Sequence, residues 1–510
     1  MQHTGHKRGS TRLAAVASLV SLGQPALAQD DAPRSPPPHS ATDEAAEAQS
    51  RAFRAITSGD YEAAREALQE QLALQPSSFV VHYNLACVHA RLRETAQAID
   101  HLHRAIELGF IDHRQLTTDP DLQSIRNEPG YTALIENWEA ITKARADANL
   151  GQVRAMYGDA YIYETDETHR LIYATAYDPD SFAIARDELA RLADWGIASV
   201  FKDLDPAATA DSPQDPYVTV ILPNRQDFLR WVAMTYGPAS RNNFSGIGGA
   251  YDHDRKLLVA QDLGGTLRHE FFHVLHWRSA TRRGQQHPIW IQEGLCSLVE
   301  DYDIINGTLT PVPSWRTNTV KRLLNAGRLT PIEELAAIPR DKFTAGGRTM
   351  ARYAECRAVF LFLHDKGALG NWYQTYISTF ADDPSGIAAI LNTLDTDLKG
   401  LNAMYRDWLK ALPTVPEPGG KEGRVGLGID VDPGSGDGPV VTQAASRSAR
   451  TSGIRPADVI YAVNGRPTRD VFELVRILGS YQSGDTVTLS ARRGTRHLTF
   501  QIQLIPVSGE

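Results

Sequence analysis

The chain has 510 residues, 42% of them hydrophobic and 22% charged, with a formal net charge of -9 at pH 7. That length accommodates roughly three domains of ordinary soluble composition. The basic pairs Arg282-Arg283 and Arg492-Arg493 stand alone and form no stripe, so nucleic acid is not expected as a partner.

Residues 1–28 join a basic start (Lys7, Arg8, Arg12) to a short apolar run, Leu13 to Leu22, and to the small residues Ala26 and Ala28. This is the layout of a secretory signal peptide, too short to span a bilayer. No later run reaches the ~18 apolar residues of a membrane helix. The mature chain is therefore expected to be exported, periplasmic or secreted, with no membrane span after signal removal. Residues 29–43, rich in Pro, Ser and Asp, read as a disordered linker.

Residues 44–145 read as helical and internally repeated. An offset of 34 aligns Gly59-Asp60-Tyr61-Glu62-Ala63-Ala64 with Arg93-Glu94-Thr95-Ala96-Gln97-Ala98, and Leu68 with Leu102. That period, with small residues where helices cross, resembles tetratricopeptide (TPR) repeats, which implies a surface for a protein partner. Two units run from Ala46 to Ser77 and from Ser78 to Phe110. A degenerate third passes through Leu122, Ile125, Tyr131, Leu134 and Trp138.

From residue 148 the pattern changes. Tyr161 to Tyr163 and Val218 to Leu222 alternate as strands do, a helix is expected around Ser181 to Ala193, and Lys256 to Gln261 reads as another strand. His269-Glu270-Phe271-Phe272-His273 follows in a helical stretch. At 100° per residue, Leu267, Phe271, Val274 and Leu275 share one face, while His269, His273 and His276 share the other. Imidazoles at i and i+4 can reach one ion, and Glu270, set to the side, can reach a water on that ion. Two solvated histidines on a surface helix would give the same five letters. Twenty residues after His273 comes Glu293, in the phrase Trp290-Ile291-Gln292-Glu293-Gly294-Leu295, an acid in apolar helical surroundings. A buried carboxylate is costly unless something such as a metal offsets the charge. His276 is a poorer third ligand, because it stands about 10 Å along the axis from His269. It reads instead as a group at the rim or behind the ligands, and His253 and His287 as surface or supporting residues.

HExxH followed by a glutamate in a W-x-x-E-G-like phrase resembles the gluzincin branch of zinc metallopeptidases, the peptidase MA clan. The likeness spans about 148–412, with its specific motifs between 246 and 300. It implies a zincin fold holding Zn2+ on His269, His273 and Glu293, with Glu270 as general base for hydrolysing a peptide or protein substrate. It also implies an edge strand that binds substrate, here Gly246-Ile247-Gly248-Gly249-Ala250-Tyr251, although a glycine-rich hairpin turn fits those residues as well. Tyr353, sixty residues after Glu293, matches the position of an oxyanion-donating tyrosine in aminopeptidase-like members, or is a core tyrosine. Thermolysin-like members carry an aspartate four residues after the glutamate ligand; this chain has Ser297 there, with Glu300 as an alternative support. Of the three cysteines, Cys87 reads as core, and Cys296 and Cys356 are either one bridge or two thiols.

After further helical pattern to Leu412, Pro413 to Gly423 reads as a flexible linker (413–423). Residues 424–507 return to short strands. Gly426-Leu427-Gly428-Ile429, the phrase Ser448 to Ile460 and Ala462-Val463-Asn464-Gly465 resemble a PDZ domain, with Ala457 in place of a usual glycine. The resemblance implies that the loop Gly426, Leu427, Gly428, Ile429 binds C-terminal peptides by their carboxylate. The expected fold class is thus multidomain: an all-α TPR-like repeat module, an α+β zincin metallopeptidase domain and a mainly-β PDZ domain. The expected function is an exported zinc peptidase whose outer modules recruit substrates or partners without touching the chemistry. The alternative is a non-catalytic envelope scaffold with a vestigial zincin domain.

Overall fold

The computed structural model describes residues 41–205, 215–236, 248–419 and 425–507. The signal-peptide region and nearly all of the 29–43 segment lie outside them. Two compact units divide between Arg145 and Ala146.

The first unit is helical. Helices α1 (Ala41–Ser58) and α2 (Tyr61–Leu74) form one pair, α3 (Phe79–Arg91) and α4 (Thr95–Leu108) a second. The 34-residue offset extends to the backbone. Gly59 (φ 80°) and Arg93 (φ 62°) both take the left-handed conformation that ends one helix and aims the chain into the next. Ala64, Leu68, Ala98 and Leu102 are all buried, as small and apolar residues at crossing points should be. The third unit is shorter than the others: Leu122 and Ile125 lie in a 3-10 helix, Pro120–Ile125, and Tyr131 and Leu134 in the helix Pro129–Glu136.

The second unit centres on a five-stranded sheet made of β1 (Ile162–Asp166), β2 (Leu171–Thr175), β3 (Val218–Leu222), β4 (Gly249–Asp252) and β5 (Leu257–Ala260), in the order β1-β2-β3-β5-β4. β2, β3 and β5 run parallel, and the outer strands β1 and β4 are antiparallel to their neighbours. Alternation sorts the side chains to two faces. Tyr173, Val220, Leu258 and Ala260 pack with Leu267, Phe271 and Val274 of the helix Gly265–Arg283. Ala174, Ile221 and Val259 pack on the other side with Tyr157, Phe228 and Trp231. The helix Gly265–Arg283, called here the histidine helix, leaves β5 through Asp262, whose carboxylate accepts the Gly264 N–H at 2.9 Å. It ends at Gly284 in the left-handed conformation (φ 62°).

The glutamate helix, Ile289–Leu298, is buried at every position. It lies against the helix Thr349–Asp365 so closely that a Cβ on Gly294 would stand 2.3 Å from the Phe360 ring and 3.2 Å from Cys356 Cβ. Gly294 therefore permits the approach that fixes Glu293. All three cysteines are free and buried, so Cys296 and Cys356 are core thiols and not a bridge. A hairpin, β6 (Tyr302–Ile305) and β7 (Thr308–Pro311), follows the glutamate helix.

The C-terminal module is mainly β: β8 (Val425–Gly426), β9 (Ile429–Asp432), β10 (Val440–Ala444), β11 (Val459–Val463), β12 (Arg466–Pro467), β13 (Thr486–Arg493), β14 (Arg496–Gln503) and β15 (Ile505–Pro506), with the helix Val471–Leu478. Its sheet runs β14-β13-β11-β10-β9, leaving β9 at an edge. The expectation of a freely hung module does not hold. Before residue 420 the connecting segment is tied down: the Val415 N–H donates to Asn318 Oδ1 (3.1 Å), Asn318 Nδ2 donates back to Val415 O (2.8 Å), and Arg322 pairs with Glu417 (2.9 Å). The module itself belongs to the same compact unit as the five-stranded sheet. Its Gly436 carbonyl accepts the Leu263 N–H at 2.8 Å, one residue before the cap of the histidine helix. Pro and Gly in sequence report local backbone and not whether the segment finds partners, which is why the linker reads as loose.

Gly294→Ala should force the two helices apart and cost about 1–3 kcal/mol, the usual scale for overpacking a filled core. Thermal unfolding of the purified protein checks this, and an unchanged melting temperature would contradict the close approach.

Candidate metal centre

Helical spacing sets His269 and His273 edge to face, with ring centroids 4.9 Å apart, and the glutamate helix brings Glu293 across to both. One carboxylate oxygen of Glu293 lies 3.2 Å from His269 Nε2 and 3.6 Å from His273 Nε2. All three side chains are buried, and the other ring nitrogen of His273 has no hydrogen-bond partner among the described residues. Donors on a tetrahedral ion with ~2.1 Å bonds stand about 3.4 Å apart, close to these separations. Each of the three residues offers one ligand atom, and these atoms lie within 4.8 Å of one another. Two imidazoles and a carboxylate are a donor set that suits zinc. The residues present fit that ion.

The electrostatics agree. Burial alone would lower the His269 imidazole, yet its hydrogen bonds to Glu293 and Glu300 outweigh burial and raise its pKa to about 10. Burial pushes the Glu293 carboxyl up, but His273 and His269 more than offset it and hold it well below the usual carboxylate range. The pocket is thus built to hold a positive charge.

Behind His269 stands Glu300. His269 Nδ1 lies 2.9 Å from Glu300 Oε1, and Arg316 grips the same carboxylate from Nε (2.6 Å) and Nη2 (2.9 Å). Burial would raise Glu300, while Arg316 and then His269 keep it low and ionised. An ionised partner on Nδ1 fixes the tautomer that leaves Nε2 free to bind a metal. Ser297, where thermolysin-like chains place an aspartate, does not do this; its carbonyl instead accepts Arg357 Nε at 2.8 Å. Glu300 lies past the end of the glutamate helix, so helical spacing could not aim it. Arg316 gave no sequence signal.

Glu270 is half-buried beside β4: a Cβ on Gly249 would stand 2.9 Å from Glu270 Cγ. Burial raises its pKa, partly opposed by His269 and His273. Gly249–Asp252 is the expected edge strand, while Gly246 and Ile247 lie outside the described residues. Its glycines serve the helix as well: a Cβ on Gly248 would stand 2.6 Å from Thr266 Oγ1. Tyr353 is brought to the cluster, its ring 6.3 Å from that of His269. Burial, then the charges of Glu293 and Glu270, push its phenol far above the ordinary value.

His276 is not among the converging donors. It pairs with His287 (Nε2 to Nδ1, 2.7 Å), and both are buried, so neither lies at a surface or rim. His253 stacks on Trp277 at 4.3 Å. Asp178, Asp180 and His497 also converge, but Arg492 already occupies Asp178 at 3.1 Å and Asp180 is exposed. In the C-terminal module, Gly426 closes β8, Leu427 is buried, Gly428 turns with φ 66° and Ile429 opens the edge strand β9. A side chain at Gly428 would strike Ser446 Oγ at 2.1 Å, so the loop requires glycine there.

Residues 425–504 match the PDZ domain family. Among curated proteins the chain is similar to a chloroplastic protein of Arabidopsis thaliana, at 27% identity over 84 residues, 16% of this chain. The chain spans about a quarter (25%) of that relative's length. Among solved structures it is similar to an aminopeptidase N family protein from Idiomarina loihiensis, at 16% identity over 69% of this chain and 68% of that one, with a TM-score of 0.31. At that score the likeness decides nothing about this chain, and the reading of the centre rests on its own geometry. The chain is multidomain, with a helical N-terminal region and a C-terminal PDZ domain. No helix among the described residues is long and apolar enough to cross a membrane.

If Glu300 orients His269, Glu300→Gln should weaken zinc binding about 10–100-fold, the range for partners of a ligand histidine. Competition against a chromophoric chelator measures this, and an unchanged affinity would show that Arg316 and Glu300 only fill space.

Proposed function

We propose that this chain is an exported zinc-dependent peptidase. The observation that supports it most is the convergence of His269, His273 and Glu293 with Glu270 and Tyr353 at their side. Zinc held by the first three would act as a Lewis acid toward a carbonyl and lower the pKa of water to about 7. Glu270 carries the proton. Its raised pKa suits a group that accepts a proton from water and returns it to a leaving amine. Tyr353 stays protonated far into the basic range, so its O–H is a permanent donor for an oxyanion forming beside Glu293. β4, at the edge of its sheet among the described residues and next to Glu270, offers backbone groups to an extended peptide. The PDZ loop would hold C-terminal carboxylates, and the N-terminal helix pairs, read as TPR-like, a protein partner.

Metal analysis of the purified protein and digestion of a peptide library test the proposal. His269→Ala and Glu293→Ala should lose most of the zinc, whereas Glu270→Gln should keep it and slow turnover about 10²–10⁴-fold. A wild type that holds zinc yet cleaves no peptide would favour the non-catalytic scaffold.

Tyr353→Phe separates chemistry from packing. An oxyanion donor predicts a kcat lowered about 10²–10³-fold with KM and zinc content unchanged. Normal turnover with a lower melting temperature would return Tyr353 to the core.

A further inference from the structure

We infer that the PDZ domain positions the metal centre, by gripping the turn Glu300 to Asp303 and, through it, the carboxylate that holds His269. The inference rests on the reading of His269 as a metal ligand.

Arg268, the residue before His269, is 2% exposed. Arg268 donates to the main-chain oxygen of Glu300 from Nη2 (2.5 Å) and Nε (3.2 Å). The same Nη2 donates to the carboxylate of Glu473, on the PDZ helix Val471–Leu478. Glu473 is itself buried and also accepts the Arg469 N–H at 2.6 Å. Arg469 in turn reaches Glu188 of the helix Pro179–Ser199 at 2.8 Å, and Arg268 lies 3.7 Å from that same Glu188. The PDZ domain and the part that carries the histidine helix therefore each contribute one arginine and one glutamate to a cluster held out of water.

The rest of the turn is held from the same side. Arg476 donates to the Tyr302 carbonyl (3.2 Å) and to Asp303 (3.1 Å), and Arg466 pairs with Asp303 at 2.7 Å. So residues 300, 302 and 303 each receive a PDZ-linked guanidinium. Glu300 is where this grip meets the chemistry, because its carboxylate bonds His269 Nδ1. A site of this kind must keep its ligands within about 0.5 Å of working geometry, and so short a turn does not do that alone. Glu473, Arg476 and Arg466 are positioning residues: none touches the metal cluster.

The test uses the full chain with Glu473→Gln, which keeps the shape and removes the charge, and Arg466→Met at the more exposed rim. Three readouts are taken: zinc release to a chelator, hydrogen exchange of residues 265–273 and 299–305 with and without zinc, and kinetics on a short peptide amide that offers no C-terminal carboxylate. Glu473→Gln should release zinc about 10-fold faster. It should lose exchange protection in both segments and lower kcat on the amide with little change in KM. Arg466→Met should show the same pattern more weakly. Combined with Glu300→Gln, Glu473→Gln should add little further zinc loss, since both act through one carboxylate. Wild-type zinc release and wild-type exchange at 299–305 in Arg466→Met and Glu473→Gln would overturn the inference. Where Glu473→Gln fails to fold, Arg466→Met decides. Should wild type bind no zinc, the peptidase reading falls, and the exchange comparison on metal-free protein still settles whether the PDZ domain holds the turn.

Discussion

A carboxylate taken out of water costs several kcal/mol unless a cation meets it. That single constraint orders the second unit. Glu293, Glu188 and Glu473 are buried and Glu300 is nearly so, and each has a cation or an imidazole against it. Of these, Glu293 alone is faced only by histidines and a tyrosine. Its neighbours can carry a proton or share a metal ion, whereas Arg316, Arg268 and Arg469 cannot give up their charge. The chemistry of the site follows from which buried acid is left without a permanent cation.

The same constraint explains what could be read in advance. His269 and His273 were legible because a helix converts a spacing of four into one face, and Glu293 because an acid in the phrase Trp290 to Leu295 has no cheap alternative to a partner. Gly294 was legible as a motif letter but not as a packing requirement; only the Phe360 ring 2.3 Å from its would-be Cβ gives the reason. The strand alternation of Val218 to Leu222 and the 34-residue repeat likewise became β3 and two helix pairs, because both patterns are local.

What stayed hidden is long-range pairing of charge. Glu300 lies beyond the last helical residue, Leu298, so no periodicity aims it, and Arg316 comes from another helix. Arg268 and Glu473 are 205 residues apart in sequence, and each looks like solvated surface when read within its own helix. The contacts of the described part of segment 413–423, residues 413–419, stay hidden for a related reason. Its Pro and Gly describe how the backbone can turn, while Asn318 and Arg322, which hold Val415 and Glu417, lie nearly a hundred residues upstream.

Buried ion pairs of this sort add little net stability, since desolvation consumes most of the attraction, and apolar residues of like volume often serve as well. Their geometry is another matter. An apolar interface tolerates small slides and rotations, whereas Arg268 satisfies Glu300 O and Glu473 together only in one register, and Arg469 satisfies Glu188 and its own helix start only in that same register. A module docked in this way fixes position more than it adds strength. The docking sits beside the residue preceding the first histidine of the cluster. A PDZ domain kept for recruitment alone would gain nothing from such burial, because a tether raises local ligand concentration equally well from any surface. The cost of dehydrating four charges at this place is intelligible if what they secure is the orientation of His269.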